Sequence, residues 1–154
     1  MQLYILRHAN ADTEAPTDSA RELSEKGREQ AKKAAQFCTR HGIRPDVIFS
    51  SPLIRAQQTA KPVAKELGME VTNARWLACG ATPEEIFAEL GALKGLAAVM
   101  LVGHEPDLGE LIAHLLGSGR GSINVRKASL TCIEVLVPRK GGGRLEFSIP
   151  AKMM

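Results

Sequence analysis

The apolar positions of this chain switch repeatedly between the period of a strand and that of a helix. Leu3-Tyr4-Ile5-Leu6 is a short apolar run that ends in Arg7-His8-Ala9-Asn10, as a buried strand delivering charge to its carboxyl end would. Residues 11–20 hold Asp12, Thr13, Pro16, Thr17, Asp18 and Ser19, which is loop chemistry. Ser24 then has the form of an N-cap, and Ala31, Ala34, Ala35 and Cys38 recur at helical spacing until Gly42 stops the helix. Val47-Ile48-Phe49 reads as a second buried strand. Ser51-Pro52 opens a second helix with Leu53, Ala56, Ala60, Val63, Ala64 and Leu67 on one face and Gly68 at its end. Pro62 inside that pattern predicts a kink or a helix in two parts.

Farther along, Glu70-Val71-Thr72 predicts a short strand, and Trp76 a core or loop anchor. Thr82-Pro83-Glu84-Glu85 has the form of a capping box, followed by Ile86, Leu90 and Leu93 at helical spacing. Residues 97–102 are apolar on both faces, which predicts a central strand. Pro106 starts a helix with Leu108, Leu111, Ile112 and Leu115 inward and Gly117 at its end. Residues 130–137 and 145–149 read as two strands joined by a charged hairpin turn at 139–144. The alternation predicts an α/β fold of one domain over residues 1–154: a three-layer sandwich, its sheet largely parallel, with helices on both faces and antiparallel C-terminal strands.

Composition narrows the function more than the fold. With 154 residues, 44% hydrophobic and 24% charged, the chain has material for one real core. A net charge of +3 with only 4% aromatic residues offers little for stacking bases, so no nucleic-acid partner is expected and small anions fit better. Cys38, Cys79 and Cys132 are odd in number and widely spaced, which suits a reducing compartment. There is no basic-then-apolar leader and no apolar run long enough for a bilayer; the expected location is the cytoplasm, with no membrane partner.

Arg7-His8, Arg55 and His104 each follow an apolar strand, and in an open α/β sheet the carboxyl ends of the strands border the ligand crevice. Any one of them alone reads as an ordinary solvated side chain. Together they imply an anion, and Arg forks beside imidazoles suit the charge spread over a transferring phosphoryl group. No Cys-x5-Arg loop supplies a thiolate, which leaves His8 as the candidate nucleophile; its other ring nitrogen then needs an acceptor, such as a backbone carbonyl. His41 and His114 fall at or within helices and read as structural or exposed. No His, Cys, Asp and Glu cluster has ligand spacing, so neither metal nor cofactor is expected.

Four ordered motifs carry a family resemblance. They are Leu6-Arg7-His8; Arg21-Glu22-Leu23-Ser24-Glu25-Lys26-Gly27 with Gln30; Ser50-Ser51-Pro52-Leu53-Ile54-Arg55-Ala56 with Thr59; and Val102-Gly103-His104-Glu105-Pro106. Through them the chain resembles the histidine phosphatase superfamily, which includes the cofactor-dependent phosphoglycerate mutases, and within it the small SixA-type phosphohistidine phosphatases. The resemblance implies a phosphoglycerate mutase-like fold, transient phosphorylation of His8, and phosphoryl binding by Arg7, Arg55 and His104. Arg21 matches a further phosphate-pocket arginine, which without the family pattern reads as an exposed ion pair. Asn10 is close enough in sequence to donate to the phosphate, with a turn-forming role as the alternative. Ser51 reads as a helix cap and Thr59 as packing.

Two departures bear on chemistry. Ala9 stands where the family commonly has Gly, and no Glu aligns with the general acid of the mutases. Glu84 and Glu85 are explained by the capping box; Glu105 and Asp18 are the candidate proton donors, with Asp12 also near. Phosphohistidine can release a neutral imidazole and makes less demand on an acid than an alkoxide does. Sequence therefore favours a phosphatase acting on phosphohistidine of a protein, for example a phosphotransfer domain or a phosphotransferase-system carrier. The alternatives are a small-molecule phosphomonoesterase on the same residues and a non-catalytic module that binds phosphorylated ligands.

Overall fold

The computed structural model describes residues 1–154. Its strands are β1 (Gln2–Arg7), β2 (Val47–Ser50), β3 (Val71–Asn73), β4 (Ala98–Gly103), β5 (Leu130–Val135) and β6 (Gly143–Ile149). Its α-helices are α1 (Glu25–Arg40), α2 (Ile54–Leu67), α3 (Pro83–Ala92) and α4 (Asp107–Leu116). The six strands share one sheet in the order β3-β2-β4-β1-β5-β6. β1, β4, β2 and β3 run parallel, and β5 and β6 add antiparallel at one side. The segments that are apolar on both faces, β1 and β4, are therefore central.

Alternation along the strands divides the core in two. Leu3 and Ile5 of β1 with Val99 and Leu101 of β4 pack against Ile86 and Leu90 of α3 and Leu108, Leu111, Ile112 and Leu115 of α4. Tyr4, Leu6, Met100 and Val102 point the other way, onto α1 and α2. That second interface is built of small residues, Ala34, Ala35 and Cys38 against Ala56, Ala60, Val63 and Ala64, which lets the helices approach closely. Trp76 is a loop anchor, its ring centroid 5.3 Å from that of Phe49. No helix is long and apolar enough to cross a membrane.

Sequence and structure differ in three places. α2 is one continuous helix through Pro62 rather than a helix in two parts, that half-buried residue removing only the bond to the Gln58 carbonyl. α2 also begins at Ile54, with Leu53 as its N-cap and no side-chain cap; Ser51 lies farther back, its hydroxyl engaged elsewhere. The hairpin strands stop at Val135 and resume at Gly143, since the Leu136 and Val137 amides both turn onto the Gly142 carbonyl.

Register brings the strand ends to one edge. Arg7 is opposite Gly103 and Ser50 opposite Val102, so His8, Ser51 and His104 leave the sheet side by side. The Ser24 hydroxyl caps α1 by accepting from the Gly27 amide at 3.0 Å, and the start of that helix presses on the loop after β1. A Cβ on Gly27 would fall 1.9 Å from the Asn10 carbonyl oxygen, which is backbone and has little room to give. Gly27→Ala is thus expected to cost about 1–3 kcal/mol of stability, overpacking outweighing the gain in helix propensity. Chemical denaturation checks this; a variant as stable as the parent would contradict the close approach.

Candidate active site

His8 follows β1 and is 6% exposed, Arg55 lies in the first turn of α2 at 4%, and His104 follows β4 at 2%. Arg7, half-buried, ends β1. The two imidazole centroids are 5.2 Å apart, tilted by 52°. All three buried side-chain nitrogens or oxygens that lack a protein partner belong to this group: Arg7 Nε, Arg55 Nε and His104 Nδ1. Burying an unpaired donor costs about 1–3 kcal/mol, so their convergence marks a place built to receive acceptor oxygens.

The His8 ring is held in one tautomer by its neighbour. Its Nδ1 lies 2.8 Å from the Ala9 carbonyl oxygen, which can only accept, so Nδ1 carries the proton and Nε2 the free lone pair. The backbone is held from several sides. The Ala9 amide donates to Thr59 Oγ1 at 3.0 Å, and that hydroxyl donates to the Arg55 carbonyl at 2.7 Å, tying the loop after His8 to the helix that carries Arg55. The Ala128 amide meets the Arg7 and His8 carbonyls at 3.1 and 3.2 Å, with Ala128 itself at a left-handed φ of 55°. A non-glycine residue there is strained by about 1 kcal/mol or more, and the strain sits where β1 delivers its side chains.

Ser51 contributes to His104 rather than capping α2. Its Oγ is 2.7 Å from His104 Nε2 and accepts from the Leu53 amide at 3.3 Å. No other acceptor is bonded to that buried hydroxyl, so its proton goes to Nε2 and assigns the His104 proton to Nδ1. Nδ1 is thereby a donor with no protein partner.

Arg55 is fixed by Asp18, its Nη1 donating to the Asp18 carbonyl at 2.7 Å and its Nη2 to Oδ2 at 3.0 Å. Arg21 reaches the same carboxylate at 3.2 Å and the Asp12 carbonyl at 2.8 Å, so it joins the rim through Asp18. These bonds, Arg21 foremost and then Arg55, hold the Asp18 carboxyl below its ordinary range. That makes Asp18 an ion-pair partner of both arginines. Glu105 is the reverse: burial pushes its carboxyl up, against the opposing pull of the Gly109 amide at 2.7 Å and of Arg7. Asn10 is tied to distant segments, its amide donating to Ser24 Oγ at 2.6 Å and its Oδ1 accepting from Lys127 at 3.2 Å, and neither bond is a local turn contact.

Two buried residues with no sequence motif also shape the site. Arg7 Nη1 donates to the Val125 carbonyl at 2.7 Å, across a separation that no local pattern reveals. Asp107 Oδ2 accepts from the Gly80 and Ala81 amides at 2.7 and 3.1 Å, placing Cys79 against Arg55. His41 and His114 pack at a tilt against Phe37 and Phe87, apart from this group, and no three His, Cys, Asp or Glu side chains gather as metal ligands.

Burial, opposed by the bond to Ala9 and reinforced by His104, Arg55 and Arg7, pushes the His8 imidazole down to about 3. Burial and then Arg55 push His104 down to about 4. Both rings are therefore neutral near pH 7. Unfolded imidazoles titrate at about 6.5, so the unfolded chain binds protons first as pH falls. Stability is accordingly full above about pH 6.5 and declines from there toward pH 4. Glu105 and Asp107, raised by burial, act in the opposite sense with smaller shifts. Thermal unfolding followed from pH 7 to 4.5 should show a falling Tm; a flat Tm would contradict neutral buried imidazoles.

Residues 3–78 match the model of the histidine phosphatase superfamily (branch 1). The chain is 33% identical over 128 residues to a phosphohistidine phosphatase SixA homolog of Haemophilus influenzae, covering 76% of this chain and 78% of that protein. It is 31% identical over 121 residues to phosphohistidine phosphatase SixA of Escherichia coli K12, covering 75% and 74%. The solved structure of the protein histidine phosphatase SixA complexed with tungstate aligns with a TM-score of 0.86 at 24% identity, over 99% of this chain and 98% of that one.

Proposed function

The chain belongs to the histidine phosphatase superfamily, and on that premise we propose that it hydrolyses phosphohistidine on a protein through a covalent phosphohistidine at His8. The observation that carries this reading is the neutral His8 ring, its Nδ1 proton on the Ala9 carbonyl and its Nε2 free, beside three buried nitrogens without partners. In the first step His8 Nε2 attacks phosphorus, the new N–P bond forming as the substrate's N–P bond breaks. The substrate imidazole, protonated on its other nitrogen, leaves neutral. The Ala9 carbonyl steadies the positive charge on the phosphorylated His8 ring. Arg7, Arg55 and His104 Nδ1–H supply donors to the equatorial oxygens, where charge spreads in the transition state. Water then attacks phosphorus, phosphate departs with the water's proton, and His8 returns neutral.

Exchange of Asp18 for a phosphoryl group on Arg55 fits this scheme, since Asp18 is largely exposed and regains water on release. The partner class is a protein phosphorylated on histidine, such as a phosphotransfer domain or a phosphotransferase-system carrier, met in the cytoplasm. One observation favours a second reading. Glu105, with its carboxyl raised by burial, is suited to protonate an alkoxide, as a small-molecule phosphomonoesterase requires.

A side-by-side turnover assay without added metal tests these readings, using a histidine-phosphorylated protein and an aryl phosphate. Preference for the phosphohistidine is the expected result. Preference for the ester, lost in Glu105→Gln, would move the chain to the second reading. Phospholigand binding with no turnover of either substrate would make it a binding module.

A further inference from the structure

A cleft of about 400 Å³ opens beside the nucleophile, lined among others by Arg7, Lys26, Arg126, Lys127 and Lys152. Four separate stretches contribute: the end of β1, the start of α1, the segment before β5, and the turn after β6. No carboxylate lines it, and none of those five cations forms an ion pair; Glu29 lies on the adjoining surface, outside the lining. Lys26, Arg126 and Lys152 are exposed and make no side-chain hydrogen bond. Lys127 has only Asn10 as a partner, and burial followed by Arg7, Arg21 and Lys26 lowers its ammonium. Mutual repulsion of this kind is maintained at a cost in stability unless an anion relieves it.

Arg7 belongs to both this cleft and the phosphoryl site. An anion in the cleft is thus continuous with the reacting group, on one substrate. The cations here are mainly lysines, flexible point charges that suit several carboxylates in a chain better than the bidentate grip that arginine gives one phosphate.

Resting on the phosphohistidine reading above, we propose that this cleft receives acidic side chains flanking the phosphohistidine of the partner protein and so selects phosphohistidine in an acidic setting. Contacts of this type steer association and act mainly on KM, weakening with salt.

Two synthetic phosphohistidine peptides test it, one with aspartates flanking the phosphohistidine and one with asparagines. The wild type should show a KM about tenfold lower for the aspartate peptide at low salt, with equal kcat. Lys26→Ala/Arg126→Ala/Lys152→Ala should abolish that difference while leaving kcat on the asparagine peptide unchanged. A control of equal charge loss, Lys32→Ala/Lys61→Ala/Lys65→Ala in the groove between α1 and α2, should preserve it. Equal KM for the two peptides in the wild type, or equal losses in the two triple variants, would overturn the proposal while the phosphatase reading stands. If neither peptide is cleaved, the phosphatase reading fails, and fluorescence anisotropy of the labelled, unphosphorylated aspartate peptide decides the cleft. Binding lost only in the Lys26/Arg126/Lys152 variant supports it, and binding unchanged in that variant, or absent in the wild type, overturns it.

Discussion

Replacing His8 with alanine is expected to lower turnover of phosphohistidine by about 10^4- to 10^6-fold, the scale on which loss of an enzyme nucleophile acts. The size follows from the site: no cysteine thiolate is available, since Cys38 and Cys132 are buried with their thiols pushed up to about 12 and 11, and Cys79 is raised as well. His104 does not substitute, because its Nε2 receives the Ser51 proton and its Nδ1 carries its own. The variant should fold, as the ring's one hydrogen bond goes to the neighbouring carbonyl of Ala9, while the strand bonds of β1 are backbone. Circular dichroism alongside steady-state assay checks both parts. Retention of more than about a hundredth of the turnover would require another nucleophile.

Arg55→Ala is expected to cost two to three orders of magnitude in kcat, about 2.7–4 kcal/mol of transition-state stabilisation. Its guanidinium is 4% exposed, so its field at the phosphoryl group is little screened. Removal leaves Asp18 without one partner, but that carboxylate is exposed and keeps Arg21, so the loss should fall on catalysis more than on folding. Arg55→Lys should recover only part of the rate, because an ammonium cannot reproduce the planar fork. Single-turnover kinetics separates chemistry from binding; an unchanged chemical step in Arg55→Ala would remove it from the site.

The parts of the fold carried by short-range pattern were legible. Apolar runs marked β1 as buried and β4 as central, and Ser24, Thr82, Gly68 and Gly117 marked helix ends, because capping and left-handed turns depend on single residues. The gathering of Arg7, His8, Arg55 and His104 was legible too, since parallel strands deliver their carboxyl ends to one edge whatever lies between them. Contacts between distant segments were not. Thr59 read as packing, yet its hydroxyl joins Ala9 to Arg55; Ser51 read as a cap, yet it sets the His104 proton. The two proton-donor candidates could be separated only by what surrounds them, ion pairs for Asp18 and burial for Glu105. The basic cleft draws on four stretches with no shared pattern, so charge counting along the chain misses it.

A phosphoryl group carried on His8 is sought by mixing enzyme with phosphohistidine substrate, quenching in base within one turnover, and locating the phosphate by peptide mass spectrometry. The expected result is one phosphoryl group on the peptide containing His8, stable to base, labile to acid and absent from His8→Ala. Substrate turnover with no phosphorylated His8 peptide would contradict it.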